Sequence, residues 1–427
     1  MTDRLVIVAD GRVMGEIRRN NRSRLTLAYD PDWRRSPNAY PLSLSMPMVA
    51  LEHGHDAITP WLWGLLPDNE TILDRWGKRF QVSPRNPFAL LAHVGEDCAG
   101  AIQLVEPERA EALVRQSAGD VDWLDDKAIA ERLRRLREDH ASWRMPRDTG
   151  QFSLAGAQPK TALHFAGGSW GVPSGAVPTT HIFKPPTEDF DGHAENEHVC
   201  LALARALGLP AATSQVRHFE NETAIIVERY DRLRRGNTIH RLHQEDMCQA
   251  QGSPPTLKYE NEGGPGAKSI VELLRVHSSR PVDDVWTFVR ALGFNWLIGG
   301  IDGHAKNYSV LIGGGGRARL APLYDLASAL AYGDLDSRKL KLAMRIADKY
   351  LLDDIVLRHW TRLAASLRLD EEQTRLHCLD LAEQLPDALT DIIKAARGAG
   401  LRHKVLRRLA DALHARAEHC RKILRTA

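Results

Sequence analysis

Two aspartates and an asparagine narrow what this chain can fold into more than any other feature. Ile301-Asp302-Gly303-His304-Ala305-Lys306-Asn307 is followed by Ser309 to Ile312, the glycine run Gly313 to Gly316, Ala318 to Leu323, and then Tyr324-Asp325. The two apolar runs read as strands and the glycines as the turn between them. Closing that hairpin sets Asn307 opposite the residues around Pro322, so Asp302, Asn307 and Asp325 meet at its open end. Carboxylates and an amide carbonyl gathered there are the oxygen ligands that Mg²⁺ takes when phosphate completes its shell. The pattern predicts a phosphotransferase site. Each piece has a plain alternative, Asp302-Gly303 as an ordinary turn and Asp325 as the N-cap of the segment after Leu326. Order and spacing together favour the site.

A site of this kind needs a large frame, and the chain has one. Its 427 residues are 43% hydrophobic, enough for two or three domains with real cores. The net charge of +2 offers no global field for nucleic acid, although from Arg397 onward nine Lys/Arg face only Asp411 and Glu418. Cys98, Cys200, Cys248, Cys378 and Cys420 are scattered with no Cys-x-x-Cys, which suits reduced thiols in a cytoplasmic protein. No apolar run approaches membrane-spanning length, and the N-terminus lacks a signal-like apolar core.

Read along the chain, Leu5 to Val8, Asp10-Gly11 and Arg12 to Ile17 form a strong hairpin signal. Arg24 to Tyr29 alternates, Leu42 to Met46 reads as extended, and Pro60 to Leu66 and Thr71 to Phe80 look helical. Residues 1–110 therefore read as a β-rich accessory subdomain. Residues 111–150 read as a charged helical connector, with Ile129, Leu133 and Leu136 at helical spacing from Asp125 to Glu138. Strands return over 151–230 (Thr161 to Phe165, Thr180 to Lys184, Ala224 to Glu228) around one helix from Glu197 to Leu207. Residues 231–427 read as mainly helical. The expected architecture is α+β and two-lobed, a strand-rich N-terminal lobe before a helical C-terminal lobe, as in protein kinases.

The other parts of a phosphotransfer site lie upstream. Ser153-Leu154-Ala155-Gly156-Ala157-Gln158-Pro159-Lys160 precedes a strand, and its small residues let backbone N–H groups close over phosphate. Lys184 ends a strand, as the lysine that contacts ATP phosphates does in kinases, with Glu197 on the next helix as its ion-pair partner and Glu195 as the competitor. Glu228-Arg229-Tyr230 ends another strand at the passage to the helical lobe, where a hinge binds adenine through backbone groups. Two signals carry less. Glu262-Gly263-Gly264-Pro265-Gly266-Ala267-Lys268-Ser269 mimics a phosphate-binding loop, but Ala267 stands where glycine should precede the lysine and no strand leads in. His53 and His55 sit on a polar loop without further ligands paired by spacing. The last segment is amphipathic: Leu406, Leu409, Leu413, Cys420 and Leu424 alternate with Arg402, Lys404, Arg407, Arg408, Arg416 and Arg421.

These motifs resemble the HipA family of serine/threonine kinases, the toxins of bacterial HipBA toxin–antitoxin modules. The resemblance rests on Ser153 to Leu163, Pro178 to Lys184, Glu228 to Arg232, Gln244 to Gln249, Lys258-Tyr259-Glu260 with Gly263 to Gly266, Asp302 to Asn307 and Leu340 to Met344. Leu65-Leu66-Pro67-Asp68 and Arg85 to Leu91 extend it to the accessory region. One departure is Pro159, where the best-known pattern has glutamate. The resemblance implies that Asp302 is the catalytic base and that Asn307 and Asp325 bind Mg²⁺. Lys184 would hold ATP phosphates, Ala155, Gly156, Ala157, Gln158 and Lys160 form the phosphate loop, and Glu228, Arg229 and Tyr230 the hinge. His304, Ala305 and Lys306 would line the nucleotide site beside Tyr324. It further implies autophosphorylation at Ser153 that silences the enzyme, and a translation protein as substrate, an aminoacyl-tRNA synthetase such as glutamyl-tRNA synthetase. A HipB-like helix-turn-helix antitoxin would be the partner, with operator DNA reached through it and possible through the basic C-terminal surface. The alternative is a catalytically silent co-repressor, which has no physical need to keep Asp302, Asn307, Asp325 and Lys184 together. A small-molecule kinase would share the Asp-to-Asn spacing but leaves the accessory region unexplained.

Overall fold

The computed structural model of the chain describes residues 3–115, 119–139, 142, 152–187, 190–236 and 238–425. It divides into two compact units, the first made of Met1–Pro185, His218–Thr256 and Val310–Ala318, the second of Pro186–Arg217, Leu257–Ser309 and Arg319–Ala427.

The first unit opens with the hairpin that Asp10-Gly11 predicts. Strands Arg4–Ala9 and Arg12–Arg19 are joined through Asp10 at φ 50° and Gly11 at φ 69°, the two positive values that a tight hairpin turn requires. Leu25–Tyr29 and then Glu52–Gly54 extend the sheet on one side and Gln103–Val105 on the other, all antiparallel. Leu42 to Met46 does not form the expected strand and keeps a single bridge, Ser43 to Met46. Side chains take its donors instead: the Leu42 N–H donates to the Tyr29 hydroxyl and the Leu44 N–H to Glu245. Helices His55–Gly64, Glu70–Phe80 and Pro87–Val94 follow, the last two capped by the Asn69 and Asn86 side chains.

A second sheet runs, in consecutive order, through Glu222–Glu228, His181–Lys184, Thr161–Ala166, Ser169–Pro173 and Val121–Leu124. Helix Asp126–Glu138, capped by Asp125, buries Ile129 and Leu133 in one cluster with Leu163, Trp170, Phe183, Phe219 and Ile226. The stretch read as a connector is thus, over its described part, a strand and a helix of the lobe, because the helix's apolar stripe needs a sheet face to cover it. Residues 116–118, 140–141 and 143–150 of that reading lie outside the described residues. Strands also continue past Tyr230, where mainly helix was expected: Arg232–Arg235 pairs with Thr238–Arg241, and His243–Asp246 lies beside Ser309–Gly313 and Arg317–Leu320 in a further sheet.

The second unit is mainly helical, built from His193–Ala206, Ala267–His277, Pro281–Ile298, Leu357–Ser366, Glu371–Gly398 and Val405–Arg425. The first of these starts a turn earlier than expected, so Glu197 lies one turn inside it rather than at its start. The last buries Leu406, Leu409, Leu413, Cys420 and Leu424, as their spacing predicts. Arg416 departs from the solvated face expected of it. It is buried, donates to Asp353 at 3.1 Å and to the Leu352 carbonyl at 3.2 Å, and lies 5.3 Å from the Trp296 ring centroid. All five cysteines are free and buried. Among the described residues no helix is long and apolar enough to cross a membrane.

Candidate active site

The site in the second unit is built at the end of helix Pro281–Ile298. Gly299 stops the helix at φ 62°, in the left-handed region that glycine enters without strain. The loop then folds onto Asn295. A Cβ on Gly300 would overlap the Asn295 side chain and one on Gly303 would come within 2.8 Å of it, while Asn295 Nδ2 donates to the Tyr308 hydroxyl at 2.8 Å. The glycines are there because the loop lies on that amide.

This leaves the Asp302 carboxylate exposed and its backbone carbonyl occupied. That carbonyl accepts the His304 N–H at 2.8 Å and Asn307 Nδ2 at 2.7 Å. That bond holds the Asn307 amide by its nitrogen, and the amide oxygen is the end a hard cation would bind. Tyr259 donates its hydroxyl to Asp302 Oδ1 at 2.8 Å, and His304 Nε2 lies 3.8 Å from the same oxygen. His304 is itself buried. Burial lowers its pKa, Lys258 adds to the effect, and the charges of Asp302 and Asp325 both oppose it. Two carboxylates therefore bear on one imidazole.

Asp325 reaches this place through strain. It is a non-glycine residue at φ 56°, a backbone conformation that surrounding structure must hold. The N-cap of the short helical turn Ala329–Ala331 that follows is Ser328. The return of the hairpin is laced to the loop before it. The Ala321 N–H donates to the Ser309 carbonyl at 2.9 Å, and the Tyr324 hydroxyl bonds the Lys306 carbonyl at 2.7 Å and Ser309 Oγ at 2.6 Å. Leu323 is tied on its other side to Pro210 and Ala212. Asn307 is thus bonded to the Asp302 backbone, and Asp302 and Asp325 both act on the His304 imidazole. Tyr324, Ala305 and Lys306, expected to line the nucleotide site, are held in the hairpin itself. The tyrosine hydroxyl laces the hairpin, and Ala305 and Lys306 are buried in its short helical turn.

In the first unit the phosphate loop is docked onto the Leu65 to Asp68 turn. Ser153 is fully buried, its Oγ donating to the Leu65 carbonyl at 2.7 Å and its N–H to the Asp97 carbonyl at 3.1 Å. Gly156 bridges Pro67 and accepts the Asp68 N–H at 3.2 Å. Lys160 folds back so that Nζ donates to the Ala155 carbonyl at 2.7 Å, and a Cβ on Gly156, which sits at φ 102°, would come within 2.6 Å of that nitrogen. Ala157 and Gln158 complete the turn. Lys184 is buried at the end of its strand, opposite Ile225. Glu197 belongs to the second unit, buried, with His193 Nδ1 4.0 Å away.

The hinge segment divides. Glu228 is exposed, and the Tyr230 hydroxyl donates to Gln244 at 2.5 Å. Arg229 has a structural task instead of the nucleotide contact expected. Its N–H donates to the Thr180 carbonyl, and its buried guanidinium bonds Asp231 at 2.8 Å and Thr179 Oγ1 at 2.8 Å. Arg232 bonds Asp97 at 2.8 Å, Arg241 lies 3.3 Å from the same carboxylate, and Thr179 donates its N–H to it at 2.9 Å. Burial by itself would raise the Asp97 pKa, but the guanidiniums of Arg232, Arg241 and Arg229 outweigh it and hold the carboxyl well below the usual range. Sequence reasoning missed this network, and it missed Tyr259 and the Leu65 to Asp68 dock as functional parts. The signal was that Tyr259, the Leu65 to Asp68 dock and, of the network, Thr179, Arg229, Asp231 and Arg232 lie in segments that carry the family resemblance; Asp97 and Arg241 lie outside them.

Comparison with known proteins identifies the family. The family model described as the HipA-like C-terminal domain matches residues 152–389, and that of the HipA N-terminal domain matches residues 5–105. The chain is 35% identical over 96% of its length and 96% of the other's to a protein of Sinorhizobium fredii named "Putative kinase Y4mE". It is 31% identical to the serine/threonine-protein kinase toxin HipA of Shewanella oneidensis, over 86% of this chain and 83% of that one. Among solved structures, a chain from the Shewanella oneidensis complex of HipA, HipB and operator DNA superposes with a TM-score of 0.84 at 25% identity, covering 98% of both chains.

Proposed function

This chain belongs to the HipA family, and from that premise we propose that it is an ATP- and Mg²⁺-dependent serine/threonine protein kinase, the toxin of a HipBA-type module. The observation that carries the reading is the exposed Asp302 carboxylate on a loop whose backbone carbonyl holds the Asn307 amide nitrogen. Asp302 takes the proton from the substrate hydroxyl as its oxygen approaches the γ-phosphorus. Asn307 and Asp325 hold Mg²⁺, which when bound neutralises charge on the phosphate oxygens. Lys184 and the loop from Ala155 to Lys160 hold the ATP phosphates, and the backbone of Glu228 and Tyr230 receives adenine. There is no covalent intermediate, and the chemistry rests on placement and charge.

Ser153 supplies the off-switch. A phosphoserine adds roughly −1.5 to −2 charges, and its oxygens would face the Leu65 carbonyl, an acceptor with nothing to donate. A phosphorylated loop leaves its dock, and the enzyme falls silent. The partners are a HipB-like helix-turn-helix antitoxin and, through it, operator DNA, with Arg402, Lys404, Arg407 and Arg408 as a surface for DNA phosphates. The substrate is a translation protein of the cytoplasm, with an aminoacyl-tRNA synthetase such as glutamyl-tRNA synthetase as the first candidate. Support for the partners comes from the likeness to the HipA–HipB–DNA complex.

The test is peptide mass spectrometry of the dephosphorylated protein after Mg²⁺-ATP, beside Asp302→Asn. Phosphate on Ser153 in the wild type alone is the expected result. No phosphate on the wild type, with ATP still bound, would turn the reading to a silent co-repressor.

A further inference from the structure

Among the parts of the second unit that the kinase reading leaves without a role, the loop from Leu257 to Gly266 stands out for how firmly it is built. Its short helical turns Pro255–Leu257 and Glu260–Glu262 are locked by close approaches at glycine. A Cβ on Gly264 would overlap the Leu257 carbonyl, and one on Gly266 would overlap the Glu260 carboxylate. Glu260 anchors the loop outward, accepting the Arg345 N–H at 2.8 Å and lying 3.0 Å from Arg345 Nε. The Lys258 carbonyl anchors it inward, accepting the Ala305 N–H at 3.1 Å. Between these anchors the Tyr259 carbonyl accepts the N–H groups of Glu262 and Gly264. The backbone of Tyr259 is held, and so is its ring, edge-on to His304 with centroids 5.0 Å apart.

A phenol held at ring and backbone delivers its hydroxyl to a set place, and that place is Asp302 Oδ1, 2.8 Å away. His304 Nε2 stands 3.8 Å from the same oxygen. With Oδ1 engaged by Tyr259, Oδ2 is the carboxylate oxygen left for an incoming hydroxyl. We infer that Tyr259 is a positioning residue for phosphate transfer, fixing the rotation of the Asp302 carboxylate so that Oδ2 receives the substrate proton. The assignment rests on the kinase reading above. A carboxylate turned by an ångström away from its target loses about 10- to 100-fold in transfer rate while ATP binding is untouched.

The test compares wild type, Tyr259→Phe and Tyr259→Ala, each dephosphorylated first. The rate constant for phosphate transfer to Ser153 at saturating Mg²⁺-ATP is followed in a single turnover, and the Mg²⁺-ATP Kd is measured by calorimetry. Tyr259→Phe keeps the ring and its packing and loses only the hydroxyl. The expected result is a transfer rate reduced about 10- to 100-fold in Tyr259→Phe, a Kd within about twofold of wild type, and little further loss in Tyr259→Ala. A wild-type rate in Tyr259→Phe overturns the assignment and leaves the kinase reading standing. A Kd that weakens as much as the rate falls overturns it as well, since the tyrosine would then support the site as a whole. No transfer by the wild type overturns the kinase reading and this assignment with it.

Discussion

Replacing Glu245 by glutamine is expected to stabilise the protein at pH 8 and to leave it nearly unchanged at pH 5. Glu245 is 1% exposed, with Oε1 accepting the Leu44 N–H at 2.8 Å. Burial, the largest cause, pushes its pKa from 4.5 up to about 8; the Leu44 N–H pulls the other way and Asp246 adds to the rise. A carboxyl whose folded pKa is raised holds its proton better folded than unfolded. Its contribution is therefore intact below pH 4.5 and is lost progressively as pH rises to about 8. At about 1.4 kcal/mol per pH unit the loss reaches at most about 5 kcal/mol. Glutamine copies the protonated acid in shape and has no charge to bury. The advantage of Glu245→Gln should be under about 1 kcal/mol at pH 5 and about 3 to 5 kcal/mol at pH 8. Urea unfolding at both pH values, followed by amide exchange of Leu42 to Met46, measures it. Equal effects at the two pH values, or a less stable variant at pH 8, would refute the reasoning.

Other outcomes follow from the same structure. Arg232→Met removes a guanidinium from Asp97 while leaving the carboxylate buried, and should cost about 3 to 5 kcal/mol in chemical unfolding; a cost under about 1 would mean the network is slack. Because the Asp97 pKa is lowered on folding, the stability this network supplies is present above the ordinary carboxylate range and lost as pH falls below it. Wild type should accordingly lose more stability than Arg232→Met between pH 5 and about pH 3, as read from paired urea titrations. Ser153→Ala should take up no phosphate at the loop after Mg²⁺-ATP and stay active, at about 1 kcal/mol of stability for the lost bond to Leu65. Unchanged phosphate content in that variant would sink the switch. Asn307→Leu should lower transfer by at least about 100-fold without changing the unfolding midpoint by more than about 1 kcal/mol; a variant that unfolds instead would make Asn307 a structural residue.

The local grammar of the chain is legible without coordinates. Asp10-Gly11 dictates its turn because few residues accept two successive positive φ values, and the leucines of the last helix declare their buried stripe by spacing alone. The loop Asp302 to Asn307, the glycine turn and Asp325 are likewise readable, since the chemistry and the hairpin that gathers them are contiguous. The strands past Tyr230 are less so. Arg232 and Arg241 look like surface residues, and only the approach of Asp97, more than 130 positions earlier in the chain, turns them into a core.

The sequence by itself determined which residues are the candidates for the chemistry, because Asp302, Asn307 and Asp325 are close along the chain and their order constrains the turn between them. Tertiary structure alone decided what holds those residues and the phosphate loop in place. Tyr259 addresses one oxygen of Asp302, and Ser153 is buried against Leu65, 88 positions away. Side-chain spacing reports one strand or helix at a time. A hydrogen bond between distant segments exists only once their backbones have been packed together, and no periodicity records it in advance.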